Sequence, residues 1–200
     1  MAGLSLVAGP SGEPVTLAEA KLFARITTAT EDQLVTDLIV GARKLAEEWL
    51  NRSFITQTWD LFLDCFPRDT NWYDEAIILP RPPIQSVTSV KYTPYNAGIV
   101  TVSSTDYYLD NASDNHGSPR EARVMPVVGK TWPSDRLRVL NGVEVRFVAG
   151  YGVAASVPEH IRAAINQLVA FWYQNRDTIG QMPEHVGNTL TGTVGGYAFA

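Results

Sequence analysis

Apolar residues recur every three or four positions in three stretches of this chain, and every second position in a long stretch between the second and the third. Thr16-Leu17-Ala18-Glu19 has the form of a capping box, in which a Thr hydroxyl satisfies a free amide and a Glu three residues on reaches back to the cap, so a helix is predicted over Leu17–Ile26. Thr27-Thr28-Ala29-Thr30 interrupts it with poor helix formers. From Glu31 the acids fall in a first turn, and Leu34, Leu38, Ala42, Leu45 and Trp49 form one stripe, which predicts a helix over Glu31–Asn51. Pro158 suits a first helical position and Glu159 its positive end; Ile161, Ala164, Ile165, Leu168 and Trp172 then mark the buried face of a helix over Pro158–Arg176. These stripes have no other partner of matching length. The three helices are therefore expected to pack together, with Trp49 and Trp172 both buried.

The period changes to two after the second helix: Ile55, Gln57, Trp59, Leu61 and Leu63 alternate with Thr56, Thr58, Asp60 and Phe62. Further strands are predicted over Ala76–Leu79, Ile84–Tyr92, Ile99–Val102, Asp106–Leu109, Ala122–Val127 and Val143–Ala149. Pro80-Arg81-Pro82-Pro83, Tyr95-Asn96-Ala97-Gly98 and Asn141-Gly142 supply turns between them. Residues 177–200 differ in kind, with five glycines, no Lys or Arg, and only Asp177 and Glu184 charged. That composition predicts an extended tail. The fold class expected is α+β: a three-helix core (1–52 and 154–176), an antiparallel β region inserted between the second and third helices (53–153), and an extended C-terminal tail (177–200).

Composition narrows the possible roles. With 45% hydrophobic and 18% charged residues the 200-residue chain can bury a core. Its longest strongly apolar run, Leu168 to Tyr173, is far short of the roughly 20 residues a membrane span needs. Leu4–Ala8 is too short for the apolar region of a secretory signal, so synthesis in the cytoplasm is expected. Cys65, the sole cysteine, lies among apolar neighbours and reads as a buried thiol. A net charge of −5 is not the footprint of a protein that grips phosphates.

Candidate chemistry is thin. His116, His160 and His185 fall in no metal-ligand spacing. Asp110 to Gly117 is rich in oxygen ligands but lacks the register and distal Glu of a calcium loop. Gly150-Tyr151-Gly152 precedes a helix without the third glycine of a dinucleotide fold. No nucleophile elbow, Cys-His pair or phosphate loop is present. The expectation is a protein without catalytic residues, metal or cofactor.

Three blocks carry a resemblance: Glu13 to Lys21; Ile55-Thr56-Gln57-Thr58-Trp59 through Leu79-Pro80-Arg81-Pro82-Pro83-Ile84-Gln85-Ser86-Val87; and Val148-Ala149-Gly150-Tyr151-Gly152 with Val157-Pro158-Glu159-His160-Ile161-Arg162 and Trp172-Tyr173. In that order and spacing they resemble the head-tail connector (adaptor) proteins of long-tailed bacteriophages, prophages and gene transfer agents. The resemblance implies a virion protein of the neck, assembled in the host cytoplasm into a ring of about twelve copies under the portal, with cyclic head-to-tail contacts. It also implies that the ring extends the DNA channel without sequence-specific binding and offers a platform to a stopper or other neck or tail-completion protein. A head-completion (stopper) protein is the alternative within the neck. A small carbohydrate-binding or hydrolase domain using Trp72, Tyr73, Tyr107 and Tyr108 is the alternative outside it.

Two sets of residues are candidates for contact. From Arg120 to Arg146, six bases (Arg120, Arg123, Lys130, Arg136, Arg138, Arg146) face three acids, a locally positive strip suited to a neighbouring subunit or protein, or else a mixed, solvated strand face. In the tail, Thr189, Leu190, Thr191, Thr193 and Val194 alternate in β-prone fashion before Tyr197 and Phe199, which suits a strand added to the edge of the portal.

Overall fold

The computed structural model describes residues 3–67, 75–111 and 121–192. The chain divides into two compact units, one of residues 1–9 and 56–150, the other of 10–55 and 151–200.

The first unit is all β and antiparallel. Strands β1 (Gly3–Ala8), β2 (Gln57–Leu63), β4 (Ile84–Tyr92), β5 (Val100–Val102) and β8 (Val143–Ala149) form a five-stranded sheet in the order β1-β2-β8-β4-β5. β3 (Ile77–Leu79), β6 (Tyr107–Asp110) and β7 (Ala122–Pro126) form a second sheet, β3-β7-β6. β8 shows why the period of two builds this unit: Val143, Val145, Phe147 and Ala149 are buried, and the residues between them are half-buried. They meet Leu61 of β2, Val90 of β4, and Leu79 and Val124 of the smaller sheet in one core. At the entry to β8, Asn141 takes a left-handed φ of 52°, and Gly142 passes so close that a Cβ there would lie 2.5 Å from the Asp64 carbonyl oxygen. Only glycine fits that approach.

The second unit is helical, with α1 (Leu17–Ala24), α2 (Asp32–Leu50), α3 (Glu159–Gln174) and α4 (Glu184–Gly192). The capping box forms: the Thr16 Oγ1 accepts from the Glu19 amide at 3.2 Å, and a Glu19 carboxylate oxygen accepts from the Thr16 amide at 2.7 Å. Arg25 ends α1 and Asn51 ends α2, each in the left-handed conformation. Val35, Leu38, Ile39, Ala42 and Ala46 of α2 pack with Ile161, Ala164, Ile165, Leu168 and Trp172 of α3. Phe54 closes the same core, and its carbonyl accepts from the Tyr151 amide at 2.9 Å.

Four features depart from expectation. The tail is not extended where it is described, because Glu184–Gly192 is a helix. Its propensity is poor, but Pro183 precedes it, its carbonyl accepts from the Val186 and Gly187 amides, and Val186 and Leu190 sit one turn apart against the core. Burial of that pair outweighs the weak intrinsic preference. Trp49 is 52% exposed rather than buried. It stands in the last turn of α2, where α4 approaches it at Gly187: a Cβ there would lie 3.3 Å from its Cζ2. Cys65 is exposed, since β2 ends at Leu63 and the alternation that would turn it inward stops there. Finally, β1 is a strand beyond those the pattern predicts.

Candidate functional site

The blocks that carry the family resemblance turn out to be ties within each unit. Arg162 of α3 donates from Nη2 to Glu19 at 2.5 Å and from Nε to the Pro14 carbonyl at 3.1 Å, which joins the first block to the last. Thr16 and Arg162 together hold the Glu19 carboxyl below the usual carboxylate range, the hydrogen bond from the Thr16 backbone being the largest influence. Beside them Arg43, buried on α2, donates to Glu13 at 2.7 Å and to Glu47 at 2.6 Å, and Glu47 also accepts from the Phe54 amide at 2.8 Å. In the β unit the Gln85 amide nitrogen donates to the Gly150 carbonyl at 2.8 Å, and the Gly150 amide to the Pro83 carbonyl at the same distance. The Pro82-Pro83 bond in this corner is cis. These residues tie the segments of each unit together.

The residues of the basic strip stand on several different elements. Arg120 lies outside the described residues. Arg123, on β7 of the smaller sheet, donates from Nη2 to Asp110 at 2.6 Å. Arg146, on β8 of the larger sheet, stands directly opposite Asp60 of β2 and grips both of its oxygens, at 2.8 and 2.7 Å. That grip raises the Arg146 pKa further. Lys130 lies 3.6 Å from Asp106. Arg138 donates twice to the Asn141 carbonyl, and the Arg136 guanidinium sits 4.6 Å from the centre of the Tyr95 ring. Arg136 and Arg138 share the β7–β8 connection, pinned by hydrogen bonds to the backbone of Tyr95 and Thr93. The positive run in sequence is thus dispersed over two sheets and a loop, with acids beside Arg123, Lys130 and Arg146.

Of the tail residues, Leu190 is fully buried in the helical core and Thr189 donates its hydroxyl to the His185 carbonyl at 2.9 Å. Thr191 is the penultimate residue of α4. Thr193, Val194, Tyr197 and Phe199 lie outside the described residues, as do Trp72, Tyr73 and His116. His160 is half-buried, and its pKa is lowered by burial and by the Arg52 charge. His185 meets the Phe171 ring edge-on. Among the described residues no group of three or more His, Cys, Asp or Glu could hold a metal ion, and no helix is long and apolar enough to cross a membrane.

Sequence reasoning passes over β1. Leu4, Leu6 and Val7 stand 38%, 48% and 46% exposed on a sheet edge. The signal was available: a short uncharged apolar run closed by Gly9-Pro10.

The chain thus passes three times between an all-β unit and a helical unit, ties many of its charged groups internally and leaves apolar residues exposed on the edge strand β1. The phage gp6-like head-tail connector protein family matches residues 14–119, and the chain belongs to that family. No curated protein matches it. Among solved structures it is similar to a chain from the neck of an empty gene transfer agent (GTA) particle computed with C6 symmetry, at TM-score 0.73 and 21% identity, covering 94% of this chain and 93% of that one. A chain from the virion of a native GTA particle gives 0.71 at 21% identity over the same shares. A chain from the neck of a native GTA particle computed with C12 symmetry gives 0.63 at 18%, covering 95% and 94%. These likenesses establish a common fold along nearly the whole chain.

Proposed function

We infer that this connector protein forms a ring of about twelve copies under the portal of a phage-like particle, extends the DNA channel, and docks the next neck protein. The observation that carries the reading is the match of fold, end to end, to chains of GTA necks computed with six- and twelve-fold symmetry, joined to the family match. A structural role without catalysis goes with it. At −5 per copy such a ring carries roughly −60, so a bore richer in acids than bases lets duplex DNA slide rather than adhere.

Contact with neighbours is assigned first to Lys130, Arg136 and Arg138, which stay exposed despite their contacts with Asp106, the Tyr95 ring and the Asn141 carbonyl, and only then to Arg123 and Arg146, which are held by carboxylates of their own sheet. The portal is assigned to residues from Thr191 onward, with Tyr197 and Phe199 as anchors; Leu190 belongs to the core. Averaged images of particle necks test the reading. A ring of this chain touching the portal is the expected result. Density for it only below another ring would make it a stopper, and its absence from the neck would end the proposal.

A further inference from the structure

The five-stranded sheet ends in two strands whose free edges carry neither charge nor proline. β1 reads Gly-Leu-Ser-Leu-Val-Ala, without charge or proline, and all six residues are exposed, so neither face is covered. At the other end β5 lies within Ala97 to Thr105, a run with no charged residue, and Ile99 before it is 65% exposed. Sheet proteins that stay single guard such edges with charges, prolines, bulges or short strands, because half of an edge strand's amides and carbonyls point outward unpaired. β1 has one irregularity, between Leu6 and Ala8, which leaves Gly3 to Leu6 in regular register; β5 is guarded only by its length of three residues.

The order β1-β2-β8-β4-β5 is antiparallel at every step, so β1 and β5 run in the same direction at opposite ends of one sheet. A rotation that carries one copy onto the next can therefore set the β5 edge of a neighbour beside β1. That contact is heterologous, using two different surfaces, which is what a closed ring requires. A β1-to-β1 contact would be isologous and would stop at a dimer.

We propose that β1 of each subunit is covered by the β5 edge of the adjacent copy, main chain to main chain, with Leu4, Leu6 and Val7 packed against Ile99 and Val100. The occupant is a second copy because the sheet itself supplies the complementary edge: uncharged, apolar and correctly directed. This rests on the ring reading above and adds the interface to it.

Cysteine pairs test it in assembled particles. In a Cys65→Ser chain, Ser5→Cys is combined in turn with Val100→Cys, Thr101→Cys and Val102→Cys, and necks are oxidised and run without reductant. At least one pair should give a ladder of covalent multimers beyond the dimer, and the single-cysteine chains should give none. Leu6→Lys, at an exposed position, should keep the folded monomer's circular dichroism and lose the ring. Rings that give no ladder with any pair and that form normally with Leu6→Lys overturn the interface and leave the ring standing. Dimers from Ser5→Cys alone show the isologous contact instead and overturn it too. Particles whose necks lack the chain remove both proposals.

Discussion

Trp172 and Trp49 belong to the same helical unit and are held differently. Trp172 is buried, its indole N–H donates to the Gln181 carbonyl at 2.9 Å, and a Cβ at Gly41 would lie 3.4 Å from its ring. Trp172→Ala should cost about 3–5 kcal/mol, since the close-packed cavity cannot collapse. Trp49→Ala should cost about 1 kcal/mol, because half of that ring is already in water. Urea midpoints at unchanged m-value measure both. Glu19 carries a pH dependence. Its folded pKa lies below the unfolded one, so its stabilisation is fully present above the unfolded carboxylate pKa and disappears as pH falls through the lowered folded value. Glu19→Gln should therefore flatten the acid limb of the stability curve, and the two proteins should converge at low pH. Salt should weaken the part due to Arg162, since both side chains are partly in solvent.

At the scale of elements, the entry to β8 is the least tolerant point. Gly142→Ala places a methyl group against the Asp64 carbonyl and the 137–138 turn, so the backbone has to move; a loss of about 1–3 kcal/mol is expected, read by thermal unfolding. The Asp60–Arg146 pair ties β2 to β8 at mid-strand. Arg146→Ala leaves a buried carboxylate without its guanidinium and should destabilise the β unit. Lys130→Ala and Arg136→Ala, which are not tied in this way, should leave the fold intact, so a loss of neck assembly in those variants reports contact with a neighbour. The period of two placed β2 to β8 within a residue or two, most clearly where alternate residues are buried, as along β8. α4 was invisible to the same reading, since its helix is fixed by two residues, Val186 and Leu190, that gain their burial from α2 and α3.

For the whole molecule, the C-terminal segment separates folding from assembly. Deleting residues 186–200 removes Val186 and Leu190 from the helical core and should lower stability. Deleting 193–200 leaves α4 whole; it should give a folded protein that no longer joins portal-bearing heads, checked by counting tailed particles. Normal attachment after the shorter deletion would show the portal contact to lie elsewhere. The charge of the ring makes a further expectation: acids should outnumber bases on the bore, as mapped on a reconstruction of the neck.

Local physics was enough to determine three of the helices, seven of the strands and the Thr16–Glu19 cap, because each rests on residues close in sequence, and the family resemblance was legible in the order and spacing of three blocks along the chain. Long-range packing decided the rest. Whether Trp49 is covered depends on α4, well over a hundred residues later; whether the arginines of 120–146 form a surface depends on which sheet each strand joins and which carboxylate stands opposite. β1 is a strand because β2 lies beside it, and its exposed leucines become a candidate contact only once the order of the sheet shows that β1 is an edge. A sequence specifies periodicity and caps directly, but partners distant in the chain are selected by burial and register, which exist only in the folded molecule.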